Sequence, residues 1–190
     1  TYDPNNPNHR VPTDAEVTGN ATFSGQEITH FGGIGDVRVN ANGYAIKADG
    51  TLIRDSSGLP IKVIGGSING GIGYNEPGSV TNKPLRNYNS DTEFYSAYPL
   101  QGKTPAGLTP FPNTPQGNAA LSKYWLVYET TQDGVPVKVR TEIIDRGPGN
   151  PNASLDTSKA TLNALGPNAK PNVYLELKQP GQTAGVSQGD

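Results

Sequence analysis

AALSKYWLVYETTQDGVPVKVRTEIIDRGPGNPNASLDTSKATLNALGPNAKPNVYLEL, residues 119–177, carries the clearest structural signal in the chain. Tyr124–Thr130 and Val135–Ile144 are rich in β-branched and aromatic side chains, and Gln132-Asp133-Gly134 between them predicts a hairpin. Asp156–Leu165 reads as a helix, with Asp at the N-cap position, apolar Ala160, Leu162 and Leu165, and Gly166-Pro167 as the stop. Val173–Leu177 reads as a last strand. This order of elements is that of a mainly β domain with one short helix.

Upstream, the pattern is broken by turn residues. Residues 1–16 are polar and Pro-rich and read as an extended arm in which Tyr2 and Val11 are the candidate self-association contacts. Residues 17–25 pass for a first strand. Strand-like runs follow at 36–39, 44–48, 51–54 and 60–64, and Asp49-Gly50 predicts a type I′ turn. Residues 65–118 are dominated by Gly, Asn, Pro and Tyr and show no sustained period. The whole of 32–118 therefore reads as a long Gly/Pro-rich insertion in a single domain over 17–178, and 179–190 as a polar tail.

Composition agrees with a β-rich reading. Of 190 residues, 24 are Gly and 17 Pro, and only 33% are hydrophobic, which suits loops and strands better than helices. The net charge is −2 with both signs mixed, so no basic footprint for nucleic acid is visible. No stretch reaches the ~18 apolar residues of a membrane span. Cys and Met are both absent, which excludes disulfides and thiolate chemistry and leaves nothing sulfur-based to oxidise. His9 and His30 are too far apart to suggest a metal motif, and the Gly-rich stretches lack the G-K-[ST] of a phosphate loop, so neither metal nor cofactor is expected. Together these features predict the mature form of a secreted protein, extracellular or in the cell envelope.

The run from Ala119 to Leu177 resembles the double-psi β-barrel domain of bacterial expansins and RlpA-like cell-wall proteins. Asp145-Arg146-Gly147-Pro148 is similar to the D-R-G-P of the latter, Leu155-Asp156-Thr157-Ser158 to their I-D-L-S, and residues 19–25 (GNATFSG) to the family's opening strand. The resemblance implies a double-psi β-barrel core, built from residues near 17–25 and 119–178, that acts on polysaccharide or peptidoglycan. Leu121 stands where peptidoglycan-cleaving members carry a His, and PFPNTPQGN before it holds no acid. The implied function is therefore binding without hydrolysis.

Two carboxylates mark the candidate polar cleft, with Arg146 between them in sequence. Asp145 ends a strand and Asp156 opens a helix, so a tight loop would bring both into one cleft, suited to sugar recognition or acid–base work. Plainer readings stand beside this: Asp156 as an N-cap, and Asp145 pinning a turn through Arg146 or backbone N–H groups. Tyr95, Tyr98 and Tyr124 are candidate sugar-stacking residues, whereas Trp125 reads as core. Two functions of different class follow. One is a polysaccharide-binding barrel; the other is a structural subunit of an extracellular fibre, tube or lattice that binds copies of itself through its arm and loops.

Overall fold

The computed structural model describes residues 5–6, 10–17, 21–22, 27–30, 38–46, 49–55, 57–61, 67–69, 87–89, 91–147 and 153–188. Its centre is the expected hairpin. Strand β8 (Tyr124–Gln132) and β9 (Val135–Arg146) pair from Gln132↔Val135 to Trp125↔Glu142. Asp133 and Gly134 both have positive φ (49° and 79°), the type I′ geometry whose twist matches that of the strands it joins. Alternation puts Leu126, Tyr128, Val137, Val139 and Ile143 into one core, and Trp125 on the opposite face.

Around this hairpin the main sheet adds β1 (Ala21–Thr22), β2 (Glu27–His30), β7 (Tyr95–Tyr98), β10 (Ala153–Thr157) and β11 (Asn172–Leu177). The order is β1-β11-β8-β9-β7-β10-β2, and an eighth strand pairs β9 off this path. β7–β9 and β2–β10 are parallel pairs, and the remaining pairs on the path are antiparallel. β1 and β2 sit at opposite ends of the order, yet only four residues separate Thr22 from Glu27. Five Cα–Cα steps span at most roughly 18 Å, so the sheet must curl to bring its two ends together. The result is a mainly β domain with a curled, half-barrel sheet.

Several expectations need correction. The stretch read as an unstructured insertion supplies β7, a central strand between β9 and β10. All four of its residues are buried, because a central strand covered on both faces has no polar alternation to display. A second helix, α1 (Pro115–Leu121), lies where only loop was expected. Its start is built from Thr114, whose hydroxyl accepts from the Gly117 N–H at 3.1 Å, and from Pro115 in the first turn.

The expected helix is α2 (Lys159–Leu165), and Gly166 (φ 89°) follows its end. Its cap is Ser158, which accepts from the Thr161 N–H, and not Asp156, which stays within β10. At the Asp49-Gly50 turn Gly50 alone has positive φ (87°), so the turn is not of type I′. Asp49 instead accepts from the backbone and hydroxyl of Thr51, and a single bridge, Ile46↔Leu52, closes the turn. Nearby, β3 (Arg38–Val39) pairs β4 (Ala45–Ile46), while β5 (Ser67–Asn69) pairs β6 (Asn87–Asn89).

The described parts of both terminal segments lie on their own domain. Asp14 accepts from Lys123 Nζ at 2.8 Å and from the Tyr124 hydroxyl at 2.5 Å, and Val17 packs against the core. Val11 is half-buried, and Tyr2 lies outside the described residues. Residues 179–190, expected as a tail, supply β12 (Gly185–Gln188), antiparallel to β9. The segment leading to β12 crosses Trp125, whose indole N–H donates to Gln182 Oε1 at 3.0 Å. Among the described residues no helix is long and apolar enough to cross a membrane.

Candidate functional site

Asp145 and Asp156 lie in one sheet row, two strands apart, placed there by sheet register and not by a tight loop. Asp145 on β9 and Asp156 on β10 are both register partners of Ala97 on the intervening β7. In-register neighbours project to the same face, so the two carboxylates flank one small side chain, with Cα atoms about 10 Å apart. A bulge between Ser96 and Ala97 shifts the β7–β9 register by one residue and sets Asp145 in line. The next strand adds Thr29, opposite Asp156, whose hydroxyl donates to Asp156 Oδ1 at 3.0 Å. The row Asp145–Ala97–Asp156–Thr29 is thus half-exposed and polar at its ends, with a buried methyl between the carboxylates.

Each aspartate also has a structural bond. Asp145 Oδ1 accepts from the Arg146 backbone N–H at 2.8 Å, a bond at the end of β9. Thr29 and Ala97 were not singled out in the sequence. No local motif points to them, because their place in the row depends on strand pairings across the whole chain.

Arg146 is not part of this polar face. Its guanidinium is turned into the structure and donates all five N–H groups: to the carbonyls of Tyr98, Pro99, Phe111 and Pro112, and to the Asn118 side chain. Burial pulls its pKa down to about 10, still far above neutral pH, so the group remains charged. It is a clamp for the 99–118 segment and has no donor left for a ligand.

The three candidate stacking tyrosines are core residues. Tyr95 and Tyr98 are no more than 1% exposed and Tyr124 is 3% exposed, so none offers a ring face to a sugar. Tyr98 meets Phe111 edge to face at 5.9 Å and donates its hydroxyl to Thr109 O at 2.6 Å. Burial raises the pKa of Tyr98, with Arg146 opposing, while burial and then the bond to Asp14 raise that of Tyr124. Tyr98 and Tyr124 are therefore phenols at any physiological pH. The physical reason is their strand position: β7 is covered on both faces, and Tyr124 opens β8 on its core side.

Trp125 is buried as expected, with Lys178 Nζ 4.6 Å from its ring centroid. Among the described residues no three His, Asp or Glu side chains converge as metal ligands. Comparison of the chain with protein-family models, with curated proteins and with solved structures finds no match in any of the three.

Proposed function

We propose that the chain is a double-psi β-barrel that binds cell-wall or extracellular polysaccharide without cleaving it, outside the cell or in its envelope. Strand order supports the fold. If β1 and β2, consecutive in the chain and at the two ends of the order, are counted as one position, the path closes into a six-stranded ring. Exchanging β1/β2 with β9, β7 with β10, and β8 with β11 then reproduces every pairing and its direction. The first half of the ring (β1/β2, β7, β8) and the second (β9, β10, β11) also follow the same chain order, as two interlocked ψ motifs would.

The observation that carries the binding reading is the placement of Asp145 and Asp156 on either side of Ala97 in one sheet row. The two half-exposed carboxylates stand on the rigid strands that flank the covered β7, and such groups accept hydrogen bonds from sugar hydroxyls without needing a loop to close. Leu121, at the position of the lytic His in the resembled family, is fully buried, so that position supplies no acid or base.

The test is retention on insoluble peptidoglycan and cellulose, compared with Asp145→Asn/Asp156→Asn. Retention of the wild-type chain, at least tenfold weaker binding by the variant, and no soluble sugar release are expected. A wild-type chain that passes unretained through both materials overturns the reading, and release of fragments overturns its non-hydrolytic part.

A further inference from the structure

Asp145 lies near the far end of β9. About ten residues away, roughly 33 Å along the strand, the β8–β9 hairpin and the α2–β11 loop enclose an open trough of 1110 Å³. Its walls are two turns of fixed geometry. Asp133 (φ 49°) and Asn168 (φ 59°) are the two non-glycine residues with positive φ among the described residues, and both line this trough. The walls are bonded to each other, since Gln132 Nε2 donates to Ala164 O at 2.5 Å and joins the hairpin to the last turn of α2. Gly166 lies beside this bond: a Cβ there would stand 3.3 Å from Gln132 Nε2, and its φ of 89° favours glycine. The Thr22 hydroxyl donates to Asn172 Oδ1 and leaves the Asn172 amide N–H groups as donors. Less-populated backbone conformations gathered at one groove and fixed by side-chain bonds form a preorganised surface.

We infer that this trough is a second binding site, for a neutral polyhydroxylated chain such as a glycan strand. Four side-chain amides line it: Gln132, Asn163, Asn168 and Asn172. An amide presents donor and acceptor side by side, which matches hydroxyls that do both. Charge selects against a polyanion, which would meet Glu129 and Asp133 with only Lys170 in opposition. The volume exceeds that of a small-molecule pocket and suits an oligomer segment. An apolar annex of 520 Å³, lined in part by Ile28, Leu162 and Ala169, shares Asn163 and Gly166 with the trough. It suits ring C–H faces or an N-acetyl methyl group. The ligand class rests on the polysaccharide-binding reading, but the residues are different ones.

The test is titration of ¹⁵N-labelled protein with cellohexaose and, separately, chitohexaose, followed by amide shifts. Saturable shifts are expected at 130–133 and 163–170 with at least one sugar. They should weaken about tenfold in Asn163→Ala, an exposed helix position where Ala is well tolerated, and persist in Asp145→Asn. Shifts near Leu162 confined to chitohexaose assign the annex to the acetyl group; equal shifts assign it to ring faces. Shifts confined to Thr29, Ala97, Asp145 and Asp156 overturn the trough and leave the proposed function standing. Silence with both sugars, in a protein that polysaccharide retains, also overturns the trough alone. Silence without retention overturns both.

Discussion

Arg146 Nη1 donates to the Asn118 side-chain oxygen at 3.0 Å, joining the end of β9 to α1. The other four N–H groups of that guanidinium hold four backbone carbonyls between Tyr98 and Pro112. A planar five-donor fork satisfies this set and an ammonium does not. Arg146→Lys keeps the charge and strands several acceptors, at an expected cost of about 2–3 kcal/mol. Chemical denaturation measures it, and a Lys variant as stable as the wild type would show that charge alone holds the segment.

The same segment predicts a glycine that cannot change. A Cβ on Gly117 would lie 2.0 Å from the Pro112 carbonyl oxygen, which is itself an acceptor for Arg146 Nη1. Gly117→Ala would gain about 1 kcal/mol of helix propensity on an unconstrained surface. Here backbone must move and the Arg146 bond with it, so net destabilisation is expected. Because both changes act on Pro112, Gly117→Ala/Arg146→Lys should cost less than the sum of the two single variants. Simple additivity in denaturant melts would argue against the shared contact.

Legibility from sequence tracked how locally each element is determined. The β8–β9 hairpin and the end of α2 were readable because turn residues and apolar spacing lie within a few positions of each other. β7 was not, since YSAY is four residues long, buried on both faces, and recognisable as a strand only once β9 and β10 flank it. The Thr114-Pro115 start of α1 was a usable local signal that its Gly- and Asn-containing body obscured. At the site, the spacing of Asp145 and Asp156 suggested a shared cleft. Their common partner Ala97 is more than forty positions upstream and was invisible. Arg146 and the tyrosines have side chains suited to ligands, but burial turns them to structural work, and burial is a property of the assembled sheet.

Glu176 gives an acid limb to the stability curve. Burial alone would raise its pKa, but bonds from Arg140 Nε at 2.6 Å and Lys138 Nζ at 2.8 Å hold it below the usual carboxylate range. A depressed folded pKa means that the stabilisation is present above the unfolded value, near 4.3, and is lost as pH falls through the folded value. Stability should therefore fall as pH drops below about 5, and Glu176→Gln should shallow that fall while costing about 1–2 kcal/mol at pH 7. Asp14 and Glu16 are also held low, by Lys123 and Arg10 respectively, so some slope remains in the variant. An unchanged acid limb in Glu176→Gln would place the acid sensitivity elsewhere.

Ser96 sits at the centre of a fully buried hydroxyl network, and counting protons predicts which member can be removed. Its Oγ lies 3.0 Å from the Tyr128 hydroxyl, 2.8 Å from Thr141 Oγ1 and 3.0 Å from Thr157 Oγ1. Thr141 also donates to Leu126 O and Thr157 to Tyr95 O. Four hydroxyls bring four protons to these five contacts, so one oxygen pair has no proton between its members. Thr157→Val leaves three protons for three contacts, running from Tyr128 to Ser96 to Thr141 to Leu126 O, and its cost should stay below about 1 kcal/mol. Ser96→Ala removes the central acceptor of a phenol whose pKa burial pushes up to about 12, and should cost about 2–3 kcal/mol. Adding Tyr128→Phe to Ser96→Ala removes the stranded donor, so the pair should couple by at least about 1 kcal/mol. Urea denaturation of the four variants decides it. If Thr157→Val proves as costly as Ser96→Ala, the network is held by packing around each hydroxyl and the proton count does not rank its members.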